Sequence, residues 1–376
     1  MSSNNKECNS HLLGNNIFIN RPLSPDTQIT NSDGSKFSKD SGIHIDENNN
    51  SNDIIRTEDL PMLGNELDNN WKSLGGYSFN ELENRMLSKD AAALCQYVYY
   101  DDELRPNGDI LYHSETHSNN ENGNGWISFR SLQKHNKISN VYETYDGLEP
   151  IYKELNKKFP NSKTFLERQR TGFNSDIFFL IKEYKMVLVA YVTEGSRPMS
   201  SIKTKNNKPI GGFVDWVGDW LLSDTMQGLT GLSPQHTLAV QNSKKIKAIT
   251  DKFKIKLMFA GHSLGGGIAV SCAINTGQPA IVFDMAGLHC IRLLKNKKEY
   301  DSLLRQHNIL SYYIEGELLS TLPWTLLGLK HNGNRYKIAY DNSQSPVEKH
   351  GLINICRIFN LNKATRSETD KLINNL

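Results

Sequence analysis

Apolar residues in the second half of the chain recur alternately at helical spacing and in short continuous runs. Helical spacing predicts amphipathic helices, and continuous runs of about four to eight apolar residues predict buried strands. Alternation of the two is typical of parallel βαβ units, so the sequence predicts an α/β fold with a mostly parallel sheet and flanking helices. The predicted elements are a helix at 237–253, a strand at 255–260, a helix at 264–276, a strand at 279–283, a helix at 291–304 and a strand at 309–314.

Two patterns upstream extend this fold. Residues 80–100 place their leucine, methionine, alanine and valine residues at helical spacing, which predicts another amphipathic helix. The segments 177–182 and 186–193 are rich in β-branched and aromatic residues and are separated by three residues. This arrangement predicts a β-hairpin.

The first 70 residues differ in composition from the rest of the chain. They contain 14 Asn and 9 Ser and no clean periodic apolar segment. Such a stretch buries too little apolar surface to offset the entropy that ordering would cost. We therefore predict a disordered tail at 1–70 and one folded domain at 71–376.

Charge and cysteine content exclude several protein classes. The chain carries 43 Lys+Arg and 41 Asp+Glu, a net charge of +2, which argues against a strongly basic nucleic-acid-binding protein. The stretch most similar to a membrane span, 318–329, is shorter than the roughly 20 residues that a membrane-spanning helix needs. The first residues lack the basic start and apolar core of a secretory signal peptide. The five cysteines are scattered without a CxxC pair, which predicts reduced thiols and a cytoplasmic location in the producing cell.

The residues that indicate chemistry form a GxSxG motif, Gly261-His262-Ser263-Leu264-Gly265, between a predicted strand and a predicted helix. In that setting a sharp, strained turn presents the serine as a nucleophile, and glycine is required at both flanking positions because nothing larger fits. Ser263 is therefore predicted to be a nucleophile. The Leu264 N–H at the helix N-terminus is predicted to donate to a developing oxyanion. His262 is predicted to be packed or solvent-facing rather than catalytic, because neighbours on this turn point apart.

With this motif, five segments resemble the class-3-type lipases, and most of all the leaderless phospholipases A1 that bacteria secrete. The resemblance covers about 80–358 and implies an α/β-hydrolase lipase domain. The matching segments are 171–196, a strand pair ending in an oxyanion element; 215–231, which contains Asp-Trp pairs; 279–288, beyond the motif; 312–320, the acid region; and 349–352, the histidine region.

The resemblance implies three catalytic roles: Ser263 as nucleophile, Glu317 as the acid of the triad and His350 as general base. The chain order Ser, acid, His is that of α/β-hydrolases. The family usually has aspartate where Glu317 stands, although glutamate serves in some hydrolase triads. The residues that remain open as alternatives are Glu315 and Asp284 for the acid, and His331 and His289 for the base.

Two features of the lipid-binding side are expected from the same resemblance. Thr193, near the end of the hairpin strand, is expected to supply the second oxyanion donor, with Ser196 as the alternative register. Trp216, Trp220 and Trp324 are candidates for contact with lipid, since tryptophan favours the membrane interface. An ordinary core position is the alternative for each of these tryptophans.

The sequence thus predicts a serine hydrolase that cleaves carboxylic esters of glycerophospholipids or other lipids, without a metal or an organic cofactor. We expect peripheral membrane contact and no nucleic-acid partner. The resemblance further implies secretion without a cleaved signal peptide, with secretion machinery or a neutralising protein as partners of such an effector. Two alternatives remain: a water-soluble esterase or thioesterase, and a catalytically dead hydrolase scaffold that binds lipid.

Overall fold

The computed structural model of the protein describes residues 28–30, 36–38, 55–63, 71, 74–98, 110–111, 125–135, 145–160, 173–194, 234–289, 308–321, 329–330, 334–338 and 344–361. The strands in this part of the chain are β1 (Gln28–Thr30), β2 (Lys36–Ser38), β3 (Ile110–Leu111), β4 (Gly125–Ser128), β5 (Asn174–Lys182), β6 (Lys185–Glu194), β7 (Lys256–His262), β8 (Ala280–Phe283), β9 (Leu288–His289), β10 (Ile309–Ile314), β11 (Leu329–Lys330) and β12 (Asn334–Ile338). The helices are α1 (Glu81–Val98), α2 (Phe129–His135), α3 (Leu148–Lys158), α4 (Pro234–Lys252), α5 (Leu264–Thr276), α6 (Leu318–Thr321), α7 (Pro346–Lys349) and α8 (Leu352–Ile358), and a 3-10 turn covers Thr57–Asp59.

One large sheet dominates the described part of the chain, with the strand order β12-β10-β8-β7-β6-β5-β4-β3. Neighbouring strands from β6 to β12 are parallel, whereas β3, β4, β5 and β6 pair antiparallel. The α/β class and the mostly parallel sheet with flanking helices, as predicted, are confirmed. Because the parallel strands point the same way, the loops after β7, β8 and β10 meet at one edge of the sheet, where α/β proteins place their sites.

Most of the predicted elements are present in the structure. The predicted helix at 80–100 is α1, and the predicted hairpin is β5 and β6 joined by a two-residue turn. Glu183 and Tyr184 form that turn with φ of 50° and 61°, and such turns suit the right-handed twist of paired strands. The predicted helix at 291–304 lies outside the described residues.

The sheet is covered on both faces, because successive strand residues point to opposite sides. In β7, Met258 and Ala260 pack into one apolar cluster with α1 and α8. Leu257 and Phe259 pack into the other with α3, α4 and α5. None of the helices in the described ranges has both the length and the apolar character that spanning a bilayer would require.

The N-terminal boundary of the packed domain lies within the range assigned to the tail. Ile55, Leu60 and Leu63 are buried in the same cluster as α1 and α8. The Ile55 N–H also donates to the Ile358 carbonyl at 2.7 Å. We therefore propose that the packed domain begins near residue 55. Before it the structure describes the strand pair β1 and β2, and disorder of the other residues at 1–54 stays a prediction.

Candidate active site

Ser263 occupies the turn between β7 and α5. Its backbone angles, φ 57° and ψ −127°, lie in a region that non-glycine residues rarely adopt, at a cost of about 1–3 kcal/mol. The Ser263 carbonyl accepts hydrogen bonds from the N–H groups of Gly266, Gly267 and Ala286, at 3.0, 3.3 and 3.0 Å. These bonds hold the strained turn in place and keep the side chain at the edge of the sheet.

Glycine is sterically required on both sides of this serine. A Cβ on Gly261 would overlap the Gly265 carbonyl and lie 2.8 Å from the Gly266 nitrogen. A Cβ on Gly265 would overlap the Thr193 carbonyl and lie 2.9 Å from the Glu194 Cα. The close approach of α5 to β6 and β7 therefore depends on the absence of side chains at these two positions.

Ser263, His350 and Glu317 form one hydrogen-bonded chain. The Ser263 Oγ lies 2.8 Å from the His350 Nε2, and the Glu317 Oε2 lies 2.7 Å from the His350 Nδ1. A carboxylate can only accept, so the Nδ1 carries the proton and the Nε2 accepts from the serine hydroxyl. All three side chains are buried, and this arrangement allows the imidazole to take the serine proton.

Two loops position the acid and the imidazole of this chain. Glu317 follows β10, and its Oε2 also accepts the Leu319 N–H at 2.7 Å. His350 ends the short helix α7, which begins with a capping box between Ser345 and Glu348. The buried Lys349 donates its Nζ to the Glu315 carbonyl at 3.3 Å, which ties the two loops together.

The side chain of Glu315, the alternative acid, points away from His350, unlike that of Glu317. Its side chain is 53% exposed and its Oε1 pairs with the Lys337 Nζ at 2.8 Å, so this carboxylate points to the surface. Of the two alternative bases, His289 lies in β9, whereas His331 lies outside the described residues.

His262 makes a contact that no sequence pattern predicted. It is packed, and its Nε2 lies 2.9 Å from the His350 backbone carbonyl. A carbonyl only accepts, so the Nε2 carries a proton and donates it to that bond. Burial, with the nearby His350 as a second cause, lowers the pKa of His262 to about 3. His262 is therefore a neutral donor that holds the backbone of His350.

Asp284, the other alternative acid, is buried directly after β8 with a φ of 41°. Its Oδ1 accepts the Ile314 N–H at 2.9 Å, while its Oδ2 has no hydrogen-bond partner among the described residues. The Oδ2 lies 4.0 Å from the His262 Nε2. Burial, followed by the charge of Glu317, raises the pKa of Asp284 well above its usual range. Both effects favour the protonated form of this carboxyl.

Within the described residues, the set of side chains that could approach a metal ion consists of His262, Asp284 and His350, with ligand atoms all within 4.8 Å of one another. Both nitrogens of His350 are already engaged by Ser263 and Glu317. A metal ion would have to break that hydrogen-bonded chain, so the geometry favours proton transfer over metal binding.

The remaining predicted site residues have separate positions. Leu264 is the first residue of α5, where backbone N–H groups have no acceptor inside the helix. Thr193 lies near the end of β6, and its hydroxyl donates to the Gly265 carbonyl at 2.7 Å, which places it beside the turn. Four predicted residues lie outside the described ones: Ser196, Trp216, Trp220 and Trp324.

Comparison with known proteins gives two similarities. A family model for the Tle-like phospholipase domain, which is phospholipase-like, matches residues 91–334. An extracellular phospholipase A1 of Serratia liquefaciens is 42% identical over 77 residues, which make up 20% of this chain and 23% of that protein. The match thus spans less than a quarter of the relative's length. Ser263 and Glu317 lie inside the range of the family model, whereas His350 lies beyond it.

Proposed function

Because the chain belongs to the Tle-like phospholipase family, we propose that it is a serine phospholipase of the A1 type, which hydrolyses acyl esters of glycerophospholipids. The family supports phospholipase activity. The partial sequence identity with an extracellular phospholipase A1 favours hydrolysis of acyl esters of the A1 type. The single observation that carries the serine mechanism is the hydrogen-bonded chain from Ser263 through His350 to Glu317.

In the proposed reaction the Ser263 Oγ attacks the acyl carbonyl while the His350 Nε2 takes the hydroxyl proton. The imidazolium that forms is stabilised by the Glu317 carboxylate, 2.7 Å away. The N–H groups of Leu264 and Thr193 hold the oxyanion of the tetrahedral intermediate. His350 then protonates the leaving alcohol, which is the lysophospholipid, and an acyl-serine remains.

Water completes the cycle by the same route. His350 removes a proton from water, the hydroxide attacks the acyl-serine, and the proton returns to the Ser263 Oγ as the fatty acid leaves. Each step transfers a proton or an acyl group, so the proposed mechanism uses no metal or organic cofactor.

The proposed substrate requires contact with a lipid surface. We propose that Trp216, Trp220 and Trp324 supply this contact, because tryptophan favours the interface between water and lipid. The extracellular location named for the Serratia relative favours secretion of this chain as an effector, with secretion machinery and a neutralising protein as partners.

The decisive experiment measures hydrolysis of a phospholipid with different acyl chains at sn-1 and sn-2. Release of the sn-1 chain is expected. Ser263→Ala should lower the rate by about three orders of magnitude or more, since it removes the nucleophile and one oxygen atom. The matched control is Ser271→Ala, another buried serine, on α5, which should keep the activity of the parent protein.

Three outcomes would contradict the proposal or select an alternative. A folded Ser263→Ala variant that keeps more than about a tenth of the activity would refute the serine mechanism. Hydrolysis of short soluble esters without faster turnover above the micellar threshold would favour a water-soluble esterase or thioesterase. Lipid binding without hydrolysis of any ester would favour the dead scaffold.

A further inference from the structure

Two buried carboxyl groups flank His350, although the proposed triad uses one. Glu317 and Asp284 follow β10 and β8, which are adjacent parallel strands, so their side chains meet at the same edge of the sheet. Glu317 contacts the His350 Nδ1 at 2.7 Å. An oxygen of Asp284 lies within 4.8 Å of a ring nitrogen of the same histidine. A shift of about 2 Å would bring Asp284 within hydrogen-bond distance of the imidazole.

The two carboxyl groups differ in how their oxygens are bound. Glu317 accepts hydrogen bonds from His350 and from the Leu319 N–H through one oxygen. Asp284 accepts the Ile314 N–H through Oδ1, and its Oδ2 is buried without a hydrogen-bond partner among the described residues. A buried polar atom without a partner is costly, so its presence needs an explanation.

The charged and titratable groups around Asp284 determine the direction in which its pKa is shifted. Glu317 on the neighbouring loop repels a second negative charge, and burial acts in the same direction. Arg335 on β12 acts in the opposite direction, more weakly. His262 is neutral, because its pKa is lowered to about 3, and offers no positive charge. A second negative charge beside the Glu317 carboxylate is therefore disfavoured at Asp284.

We propose that Asp284 is a reserve acid: a positioning residue whose unpartnered oxygen, close to the His350 imidazole, accepts a hydrogen bond from that imidazole and orients it when the carboxylate of Glu317 is removed. This inference rests on the proposed serine mechanism. When glutamine replaces Glu317, the repulsion between the two carboxyl groups ends. Asp284 then releases its proton to solvent, and the resulting carboxylate accepts a hydrogen bond from an N–H of the His350 imidazole. The alternative is a purely structural role, in which Asp284 serves to accept the Ile314 N–H.

The test is a double-mutant cycle with Glu317→Gln and Asp284→Asn, measured as kcat/KM on a phospholipid. Asparagine keeps an oxygen for the Ile314 N–H but cannot ionise, so a structural role would survive the change. We expect Asp284→Asn to lower activity at least about tenfold more in the Glu317→Gln background than in the parent protein. If the loss of kcat/KM in the double variant equals the product of the losses in the two single variants, the proposal is overturned.

A second measurement does not depend on the folding of the double mutant. The activity of the Glu317→Gln variant alone should rise with pH through an ionisation step that the parent protein lacks, because Asp284 must lose its proton to act. A pH profile of the same shape as the parent profile would overturn the proposal. If Ser263→Ala is inactive in the same assay while the cycle shows no coupling, the reserve acid fails and the serine mechanism stands. An active Ser263→Ala variant would instead remove the proposed function itself.

Discussion

His262 should make the stability of the protein depend on pH, because this imidazole is buried in its neutral form. The pKa of a free histidine is about 6.5, and burial lowers that of His262 to about 3 in the folded protein. One pKa unit corresponds to about 1.4 kcal/mol. The full difference therefore corresponds to about 5 kcal/mol of unfolding free energy.

The direction follows from proton binding. Between pH 3 and 6.5 the unfolded chain binds a proton at His262 that the folded protein does not bind. The contribution of neutral His262 to stability is therefore fully present above pH 6.5 and is lost progressively as pH falls through this window. Lowering the pH from 6.5 to 4.5 should remove about 2–3 kcal/mol.

The perturbation that tests this is His262→Gln, which removes the titration but keeps a side-chain N–H that can donate to the His350 carbonyl. Urea unfolding of both proteins at pH 4.5, 5.5, 6.5 and 7.5 gives the difference in unfolding free energy at each pH. The variant should gain relative to the parent protein as pH falls, by up to about 1.4 kcal/mol per unit. The contribution of Asp284 to the unfolding free energy has the opposite pH dependence. Because Asp284 is present in both proteins, this contribution cancels to first order in the difference between them. A difference that stays constant from pH 7.5 to 4.5 would refute the reasoning.

Three further predictions concern the turn, the domain boundary and the lipid surface. Gly265→Ala should abolish activity and lower the melting temperature, because the added Cβ overlaps the Thr193 carbonyl of β6. The control is Gly277→Ala, whose Cβ meets nothing within 4 Å. It should lower the unfolding free energy only by the strain of a positive φ, about 1–2 kcal/mol. Removing 1–54 should leave the melting temperature unchanged, whereas removing 1–70 should lower it, and equal values would contradict a packing role for residues 55–63. Trp220→Ala should reduce activity on vesicles far more than on a short soluble ester; equal loss on both, with a lower melting temperature, would assign this residue to the core.

The sequence predicts most of the parallel half of the fold, because β7, α5, β8 and β10 each have a local signal, whereas the edge strand β12 was not predicted. The apolar run before Ser263 and the small residues after it indicate the strand and the helix without reference to the rest of the chain. The hairpin at β5 and β6 is equally local, since two β-branched runs flank a short polar turn. In these segments the spacing of apolar residues and the tertiary structure require the same conformation.

The parts that the sequence does not predict depend on contacts between distant segments. Ile55, Leu60 and Leu63 lie among polar residues that resemble a disordered tail, and their burial follows from a surface that α1 and α8 create together. The contact of His262, at the end of β7, with the His350 carbonyl likewise joins two segments that are 88 positions apart. Composition and periodicity reflect local conformational preference, so they do not predict contacts between distant segments.

The layer of α1 and α8 beneath the sheet has a consequence for how the protein folds. The Ser88 and Tyr312 hydroxyls meet at 2.7 Å across 224 positions of the chain, and Cys356 contacts the Ala92 carbonyl across 264. Closing loops of this length costs entropy before the contacts form, and folds rich in such contacts fold slowly. β7 and β8 lie on either side of Ser263 and pair residues close in sequence, such as Phe259 and Ala280, so we expect them to pair early. His350 directly precedes α8, so we expect it to reach its place when α8 docks on α1. The nucleophile should thus be in position before the base, and the protein acquires its complete site late in folding.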